Sequence, residues 1–154
     1  MLRITTPTAL LLTGLMALPA AAQDSMHATE AASLEWAPAD VEGFAPGMMI
    51  AVIHGDPSAA GEPYTLRLRF PDGYQFPAHW HPVAEHLTVI SGTFHLAMEG
   101  SETGPLNTYQ PGDYLYIPAE MAHSGGATGE TIVQLHGVGP FEIMLGRGPG
   151  VSSR

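Results

Sequence analysis

The sequence of 154 residues contains no cysteine, and arginine is its only basic residue type besides histidine. The absence of cysteine excludes disulfide scaffolds, thiolate metal sites and cysteine nucleophiles. A metal site therefore has to use histidine, carboxylate or thioether ligands. Five arginines against fifteen acidic residues give a formal net charge of −10. No basic stripe exists to follow nucleic-acid phosphates, so nucleic acid is excluded as a partner.

A hydrophobic run long enough to cross a membrane is also absent. The apolar run at residues 9–18 has about ten residues, whereas a membrane span needs about 20. It follows Arg3 and precedes a triplet of alanines at residues 20–22, which is the pattern of a secretory signal at residues 1–22. We therefore expect cleavage after Ala22, no membrane anchor, and a periplasmic or secreted mature protein.

Long helices have little room, because 14 prolines and 18 glycines interrupt the chain. Instead, apolar and β-branched runs of four to seven residues recur, each ended by Gly, Pro, Asn or Asp. Runs of this length and spacing predict an all-β fold, an antiparallel sandwich or barrel. The predicted strands are residues 48–54, 64–70, 75–81, 86–91, 93–99, 113–117, 131–136 and 141–145.

These strands predict a barrel over residues 47–145. The preceding residues 23–46 are rich in Ala, Glu and Asp, and we interpret them as an N-terminal arm that lies over the barrel or over a partner subunit. The glycine-rich residues 146–154 are expected to form a flexible tail.

The chemistry-bearing residues cluster around two segments. His79 and His81 are two residues apart on a predicted strand, so their side chains share a face and can both reach one ion. A short turn at residues 82–84 would bring Glu85 back toward the same point as an oxygen ligand. His123 follows another predicted strand and a proline turn about forty residues later. Three imidazoles and one carboxylate leave positions open on a six-coordinate ion, which is typical of a reactive site.

At these residues the chain resembles the cupin superfamily. The first cupin motif reads G, five residues, H-x-H, three or four residues, E, six residues, G, and its fixed positions are matched by Gly73, His79, His81, Glu85 and Gly92. The second reads G, five residues, P-x-G, two residues, H, three residues, N, and is matched by Gly112, Pro118 and His123. Glu120 stands in place of its glycine and Ala127 in place of its asparagine, departures that concern the shape of a loop rather than a ligand.

The resemblance implies an antiparallel jelly-roll barrel, also called a double-stranded β-helix, with one divalent metal per chain held by His79, His81, Glu85 and His123. Iron, manganese, zinc, nickel and copper all suit such ligands. Some cupins have lost their metal and serve as sugar-binding or storage barrels, so an empty barrel is the alternative to a metal site. Because cupin barrels usually associate, a homodimer is also expected.

The function implied by this resemblance is a metal-dependent enzyme that acts on a small organic substrate. Dioxygenases and related lyases or decarboxylases use such a ligand set, and the fold does not choose among them. The alternative is a non-catalytic periplasmic cupin that binds a metal, or a metal with a ligand.

Further candidates depend on which way their strands face. Tyr116, Gln134 and His136 would contact the substrate or the metal ligands if their side chains point inward. Arg67 and Arg69 could hold a substrate carboxylate. Both arginines alternate with apolar residues, so the other interpretation is that they make ion pairs outside the barrel. His86 is expected on the outer wall, because it follows Glu85 directly.

Overall fold

The computed structural model describes residues 26–98 and 106–149. The predicted signal segment at residues 1–22 and most of the predicted tail lie outside the described residues. The described part contains one short 3-10 helix, Ala31–Ser33, and no helix that is long and apolar enough to span a membrane. Its nine strands are β1 (Ala37–Pro38), β2 (Met49–His54), β3 (Pro63–Phe70), β4 (Gln75–Trp80), β5 (Glu85–Met98), β6 (Asn107–Tyr109), β7 (Tyr114–Ile117), β8 (His123–Val138) and β9 (Met144–Leu145).

The sheet is antiparallel throughout and is organised around its two longest strands, β5 and β8, which pair with each other along most of their length. On its other edge, β8 pairs first with β4 and then with β3. The order β1-β2-β3-β8-β4-β9 continues along that side, while β6 and β7 pair with β5. The sheet curls into a half-barrel, and the predicted all-β jelly-roll class is confirmed.

Two strands differ from the sequence prediction in their extent. The predicted strands 86–91 and 93–99 are one strand, β5, whose register shifts on both sides of Ser91. Gly92 has a φ of 77° there, and such bulges bend a strand without ending it. The predicted strand 131–136 is only the second half of β8, which begins at His123. Glycines in its first half lower the strand signal of that sequence.

Smaller elements account for the remaining differences. The predicted strand 141–145 is reduced to β9. The two short strands β1 and β6 were not predicted, because strands of two or three residues carry no readable alternation.

Alternation along β3 separates the core from the outer face. Leu66 and Phe70 are buried, as are Val133 and Leu135 on the neighbouring β8. Because successive side chains of a strand point to opposite faces, Arg67 and Arg69 on β3 and Gln134 on β8 lie on the outer face of the sheet.

The described part of the N-terminal arm packs against the barrel of its own chain. The guanidinium of Arg69 lies 4.6 Å from the ring centroid of Trp36. Further along the arm, the backbone N–H of Ala39 donates to the carbonyl of Met48, and Phe44 packs against side chains inside the barrel. The arm therefore runs from the outer face of the sheet to the edge of the central cavity.

Candidate metal centre

The side chains of His79, His81, Glu85 and His123 meet inside the barrel. All four residues are buried, with 3–6 % of their surface exposed. One ring nitrogen from each histidine lies within 4.8 Å of the others. Oε2 of Glu85 lies 3.6 Å from Nε2 of His81 and 3.7 Å from Nε2 of His123. The structure thus brings together the four side chains that the sequence motifs single out.

Local irregularities of the backbone place these side chains. The register of β4 against β8 shifts between Phe76 and His79, so both of these residues point inward although they are three positions apart. His79 then pairs directly with His123 across the sheet. The backbone N–H of Glu120 donates to the carbonyl of His81 over 2.8 Å, which ties the loop before His123 to the end of β4.

Backbone carbonyls orient all three imidazoles. Nδ1 of His79 lies 2.9 Å from the Pro77 carbonyl oxygen, Nδ1 of His81 lies 2.8 Å from that of Glu142, and Nδ1 of His123 lies 3.1 Å from that of Met121. A carbonyl oxygen can only accept, so each Nδ1 carries the hydrogen and donates it. Each Nε2 is left with a free lone pair, which is the state in which an imidazole binds a metal.

Two atoms at the centre of the cluster have no hydrogen-bond partner. Nε2 of His81 and Oε2 of Glu85 are fully buried and unpaired. Buried polar atoms are rarely left unsatisfied, because the loss of water costs about 1–3 kcal/mol for each group. An ion between these atoms would satisfy both of them, so the residues present fit a divalent metal.

Burial also sets the protonation state of the cluster. It lowers the pKa of His79, and together with neighbouring histidines it lowers the pKa of His81 to about 4 and that of His123 to about 3. Burial raises the pKa of Glu85 to about 8. At neutral pH the three imidazoles are therefore uncharged without any metal, as coordination requires.

Aromatic rings enclose the histidines. Phe44 and Phe76 lie edge-on to His79, with ring centroids 5.1 and 5.5 Å away. Phe141 stacks on His81 at 4.7 Å. The roles of Phe44 and Phe141 were not predicted, because neither residue belongs to a motif and neither lies on a predicted strand face next to a ligand.

The cluster lines a narrow cavity with about 30 Å³ of space that a water-sized molecule can occupy. Its other twelve lining residues are all apolar. They are Phe44, Met48, Leu68, Phe70, Phe76, Leu87, Phe94, Leu96, Ile117, Val133, Phe141 and Ile143. The polar chemistry of the cavity is therefore confined to the four candidate ligands.

The other candidates from the sequence lie on the outer face of the sheet. Nε of Arg67 donates to Oε1 of Gln134 over 3.1 Å, and Arg69 covers Trp36. Tyr116 is 56 % exposed, and His136 is exposed as well. None of these five residues lines the cavity. The structure therefore separates them from the ligand cluster, because their positions alternate with the buried residues of β3, β7 and β8.

His86 also lies on this outer face, as expected. Its ring stacks on that of His136, with centroids 4.9 Å apart and planes inclined by 16°. Its Nδ1 lies 2.5 Å from the hydroxyl oxygen of Tyr114. His86 is half-buried and His136 is exposed, and both lie outside the cluster, so they serve as controls for substitutions in it.

Comparison with known proteins places these features in one family. A family model described as "Cupin domain" matches residues 66–139. No curated protein sequence matches the chain significantly.

Several solved structures share the fold. The polyketide cyclase RemF from Streptomyces resistomycificus is 14% identical, with a TM-score of 0.64, over 83% of this chain and 88% of its own. A protein from Methylibium petroleiphilum PM1, provisionally named an acetylacetone dioxygenase, is 17% identical, with a TM-score of 0.64, over 85% of this chain and 89% of its own. The DMSP lyase DddQ from Ruegeria pomeroyi DSS-3 is 20% identical, with a TM-score of 0.60, over 78% of this chain and 64% of its own. At these identities the likeness concerns the fold alone.

Proposed function

The chain belongs to the cupin superfamily, and from that premise we propose that it is a metal-dependent enzyme acting on a small organic substrate. The observation that carries the proposal is the set of three inward Nε2 lone pairs and one carboxylate oxygen, which meet at one point in an otherwise apolar cavity. A purely structural barrel would gain nothing from burying four such groups, two of them with unpaired atoms.

We propose that His79, His81, Glu85 and His123 hold one divalent ion, which is iron, manganese, zinc, nickel or copper. When bound, such an ion supplies Lewis acidity and a template for substrate oxygen atoms. The histidines keep three neutral donors in fixed directions, and Glu85 supplies one negative charge. The apolar wall excludes bulk water from the reacting atoms, which strengthens electrostatic interactions at the centre.

The proposed reaction class is that of a dioxygenase, or of a related lyase or decarboxylase. Proteins of the same fold bear the names polyketide cyclase, acetylacetone dioxygenase and DMSP lyase, and the candidate ligands of this chain are compatible with each kind of chemistry. We propose a small organic molecule as the substrate, in keeping with the enzyme names that these proteins of the same fold bear.

The test begins with elemental analysis of the freshly purified protein. The protein is then loaded anaerobically with each candidate ion and assayed, with and without air, against catechols, flavonols, enediols, oxalate and sulfonium acids. We expect turnover of at least one class that disappears in His79→Ala and persists in His86→Ala, the matched control on the outer face. Failure of every ion to bind, or of every substrate to react, contradicts the proposal.

A non-catalytic cupin that binds a metal, or a metal with a ligand, is the second candidate. One observation favours it: apart from the four candidate ligands, no residue that lines the described cavity carries a group able to transfer a proton. Thermal-shift screening with metals, small acids and sugars separates the candidates. A ligand that stabilises the loaded protein and is recovered unchanged supports binding, whereas a product supports catalysis.

We propose further that the protein is exported to the periplasm or secreted, and that it forms a homodimer. Export is supported by the signal pattern at residues 1–22. Mass spectrometry of protein from the native compartment tests it, because the mature chain should begin at Gln23. Light scattering tests the dimer, since a mass of one chain contradicts it.

A further inference from the structure

Two histidines outside the candidate metal centre face each other on the outer face of the sheet. His86 on β5 and His136 on β8 are direct partners across these antiparallel strands. The Cβ atoms of direct partners lie about 4.5–5.5 Å apart on one face of a sheet, so their side chains can act on the same ligand. Neither residue lines the central cavity. These two histidines, the outer pair, are therefore separate from the centre.

The spacing of the outer pair matches that of the histidines in the candidate metal centre. Its ring centroids lie 4.9 Å apart. The three pairs among His79, His81 and His123 have centroid distances of 4.3, 5.1 and 5.3 Å. Because a ring nitrogen binds a transition metal at about 2.0–2.1 Å, two imidazoles on one ion have their centroids roughly 5 Å apart. The outer pair therefore has the spacing of two ligands of a single ion.

The ring of His136 is free to turn toward such an ion. The two rings now stack with their planes inclined by 16°, whereas two ligands of one ion each point a nitrogen at it. The last torsion of a histidine side chain is broad, so its ring rotates at little cost. His136 is exposed, and its ring forms no hydrogen bond within the part of the chain that the structure describes. Rotation of this ring therefore breaks no polar contact there.

A tyrosine hydroxyl fixes the ring of the other histidine. Nδ1 of His86 can donate a hydrogen bond to the hydroxyl oxygen of Tyr114. In that tautomer Nε2 keeps its lone pair for an ion. Metal-binding imidazoles are commonly oriented by such a hydrogen bond from their other nitrogen. In the candidate centre, backbone carbonyl oxygens have this role for all three histidines.

The ligand type and the charge of the chain indicate which ions would bind. Among the residues that the structure describes, no third histidine or carboxylate joins the outer pair in a metal-binding group. Two imidazoles without a carboxylate disfavour magnesium and calcium, which prefer oxygen ligands. The affinity of imidazole sites for divalent transition metals is highest for copper(II). The net charge of −10 also attracts cations to the surface.

We propose that His86 and His136 form a second metal site, which faces solvent and binds one copper(II) ion. Tyr114 orients the ring of His86, and water completes the coordination of the ion. With two protein ligands instead of four, this site binds its ion more weakly than the centre and exchanges it directly with solvent.

The test counts copper ions per chain. Chelator-treated protein is titrated with copper(II) by calorimetry in a glycine buffer, which competes for free copper. We expect His86→Ala and His136→Ala each to bind one ion fewer than the parent protein. Equal counts in the parent and in both of these variants overturn the proposal.

Two other histidines provide matched controls that should bind as many ions as the parent. His54 is exposed, like His136, and its ring centroid lies 6.1 Å from that of His27, outside the range of the centre. His95 is half-buried, like His86, and its two ring nitrogens are hydrogen-bonded to threonines. Loss of one ion in His54→Ala or His95→Ala, together with full binding in the outer-pair variants, would place the second site elsewhere and overturn the proposal.

Tyr114→Phe tests the orienting hydroxyl. We expect copper binding at the outer pair to weaken about tenfold, because the ring of His86 is no longer held. Tyr116→Phe is the control: Tyr114 and Tyr116 are 55% and 56% exposed, and the ring of Tyr116 also contacts His86, with centroids 5.2 Å apart. Equal affinities in the two variants overturn the role of the Tyr114 hydroxyl.

The outer site and the proposed function stand or fall separately. His123→Ala should cost the ion of the centre and leave that of the outer pair. If the centre binds no ion, the count in His123→Ala equals that of the parent, which contradicts the proposed function. The loss of one ion in His86→Ala and in His136→Ala would still be expected in that case.

Discussion

At the scale of single residues, the metal-free centre consists of buried groups that have all been driven toward their neutral forms. Burial lowers the pKa of each histidine and raises that of Glu85. The Nδ1 atoms are fixed by carbonyl oxygens, so the neutral tautomer of each imidazole is the one with its lone pair on Nε2. The three histidines are thus already in the neutral form that binds an ion, whereas Glu85 has to lose a proton before it can bind one.

These opposite shifts predict a stability maximum for the metal-free protein near pH 6.5. The folded histidines bind fewer protons than the unfolded ones below pH 6.5, so stability is lost as the pH falls from there toward 4 and 3. Folded Glu85 keeps its proton up to about pH 8, whereas unfolded Glu85 loses it near pH 4.5, so its contribution is lost as the pH rises from 4.5 to 8. Above pH 6.5 the histidines no longer offset this loss. Urea unfolding of chelator-treated protein across this range measures both effects.

Glu85→Gln is the matched variant for the alkaline side. It should flatten the loss of stability between about pH 6.5 and 8, where one proton can contribute at most about 1.4 kcal/mol per pH unit. On the acid side, the loss of stability between about pH 6.5 and 4.5 should become steeper, because Glu85 no longer opposes the effect of the histidines there. An alkaline decline equal to that of the parent protein would show that another group is responsible.

The loop before His123 contains a second residue-scale feature. Glu120, which replaces a motif glycine, has a φ of 64°, a left-handed conformation that favours glycine. The loop shape of the motif is thus retained without its glycine. We expect Glu120→Gly to stabilise the protein by about 0.5–1 kcal/mol, as measured by urea unfolding. Glu120→Ala is the control and should give no such gain, because alanine meets the same backbone cost.

At the scale of elements, bulges convert the two longest strands and their neighbours into a wall that curls around the site. The shift in β4 keeps His79 inward, and the shifts in β5 around Gly92 bend that strand between its two halves. Thr131 sits opposite Gly92, and its hydroxyl oxygen accepts the backbone N–H of Thr93 at 3.1 Å. The bend is therefore held by a specific side chain on the neighbouring strand.

Gly92→Ala should disrupt this bend. An added Cβ would lie 2.3 Å from Oγ1 of Thr131 and 2.5 Å from the Glu130 carbonyl oxygen, in addition to the cost of the left-handed backbone. We expect a loss of at least about 2 kcal/mol in the free energy of unfolding. Gly73→Ala is the control, because Gly73 has a similar φ of 73° and open space around it. Equal losses in the two variants would mean that the contact with Thr131 is unimportant.

The sequence predicts the side-chain groups of the site far better than their surroundings. Spacing on a strand correctly places His79 and His81 on one face, since that depends only on alternation. Alternation alone could not decide whether Gln134 and His136 point inward, because the choice depends on the register of β8 against β3 and β5. The hydrogen-bond partners of the three histidines are backbone carbonyl oxygens. Every residue has one, so the sequence could not predict which residues supply them.

At the scale of the whole molecule, the cavity is assembled from parts that are distant in the sequence. The arm contributes Phe44, the strands contribute the candidate ligands, and the segment after β8 contributes Phe141. The carbonyl of Glu142 in that same segment accepts the hydrogen bond from His81. An ion at the centre would therefore connect contacts that involve the arm, the sheet and the C-terminal segment.

Metal removal should accordingly destabilise the whole domain. A ligand present at 100 times its dissociation constant stabilises the folded state by about 2.7 kcal/mol. For a domain of this size, that corresponds to roughly 10 °C in Tm. We expect a chelator to lower Tm by about this amount in the parent protein and in His86→Ala. In His123→Ala the chelator should have little effect, and a full effect there would place the ion elsewhere.

The main-chain origin of the three imidazole acceptors has an evolutionary consequence. Pro77, Met121 and Glu142 keep their carbonyl oxygens whatever side chains replace them. Mutation can therefore exchange the hydrophobic residues of the interior one at a time while the imidazoles stay oriented toward an ion. A chain built in this way is a suitable starting point for directed evolution, because new specificities can be selected without rebuilding the centre.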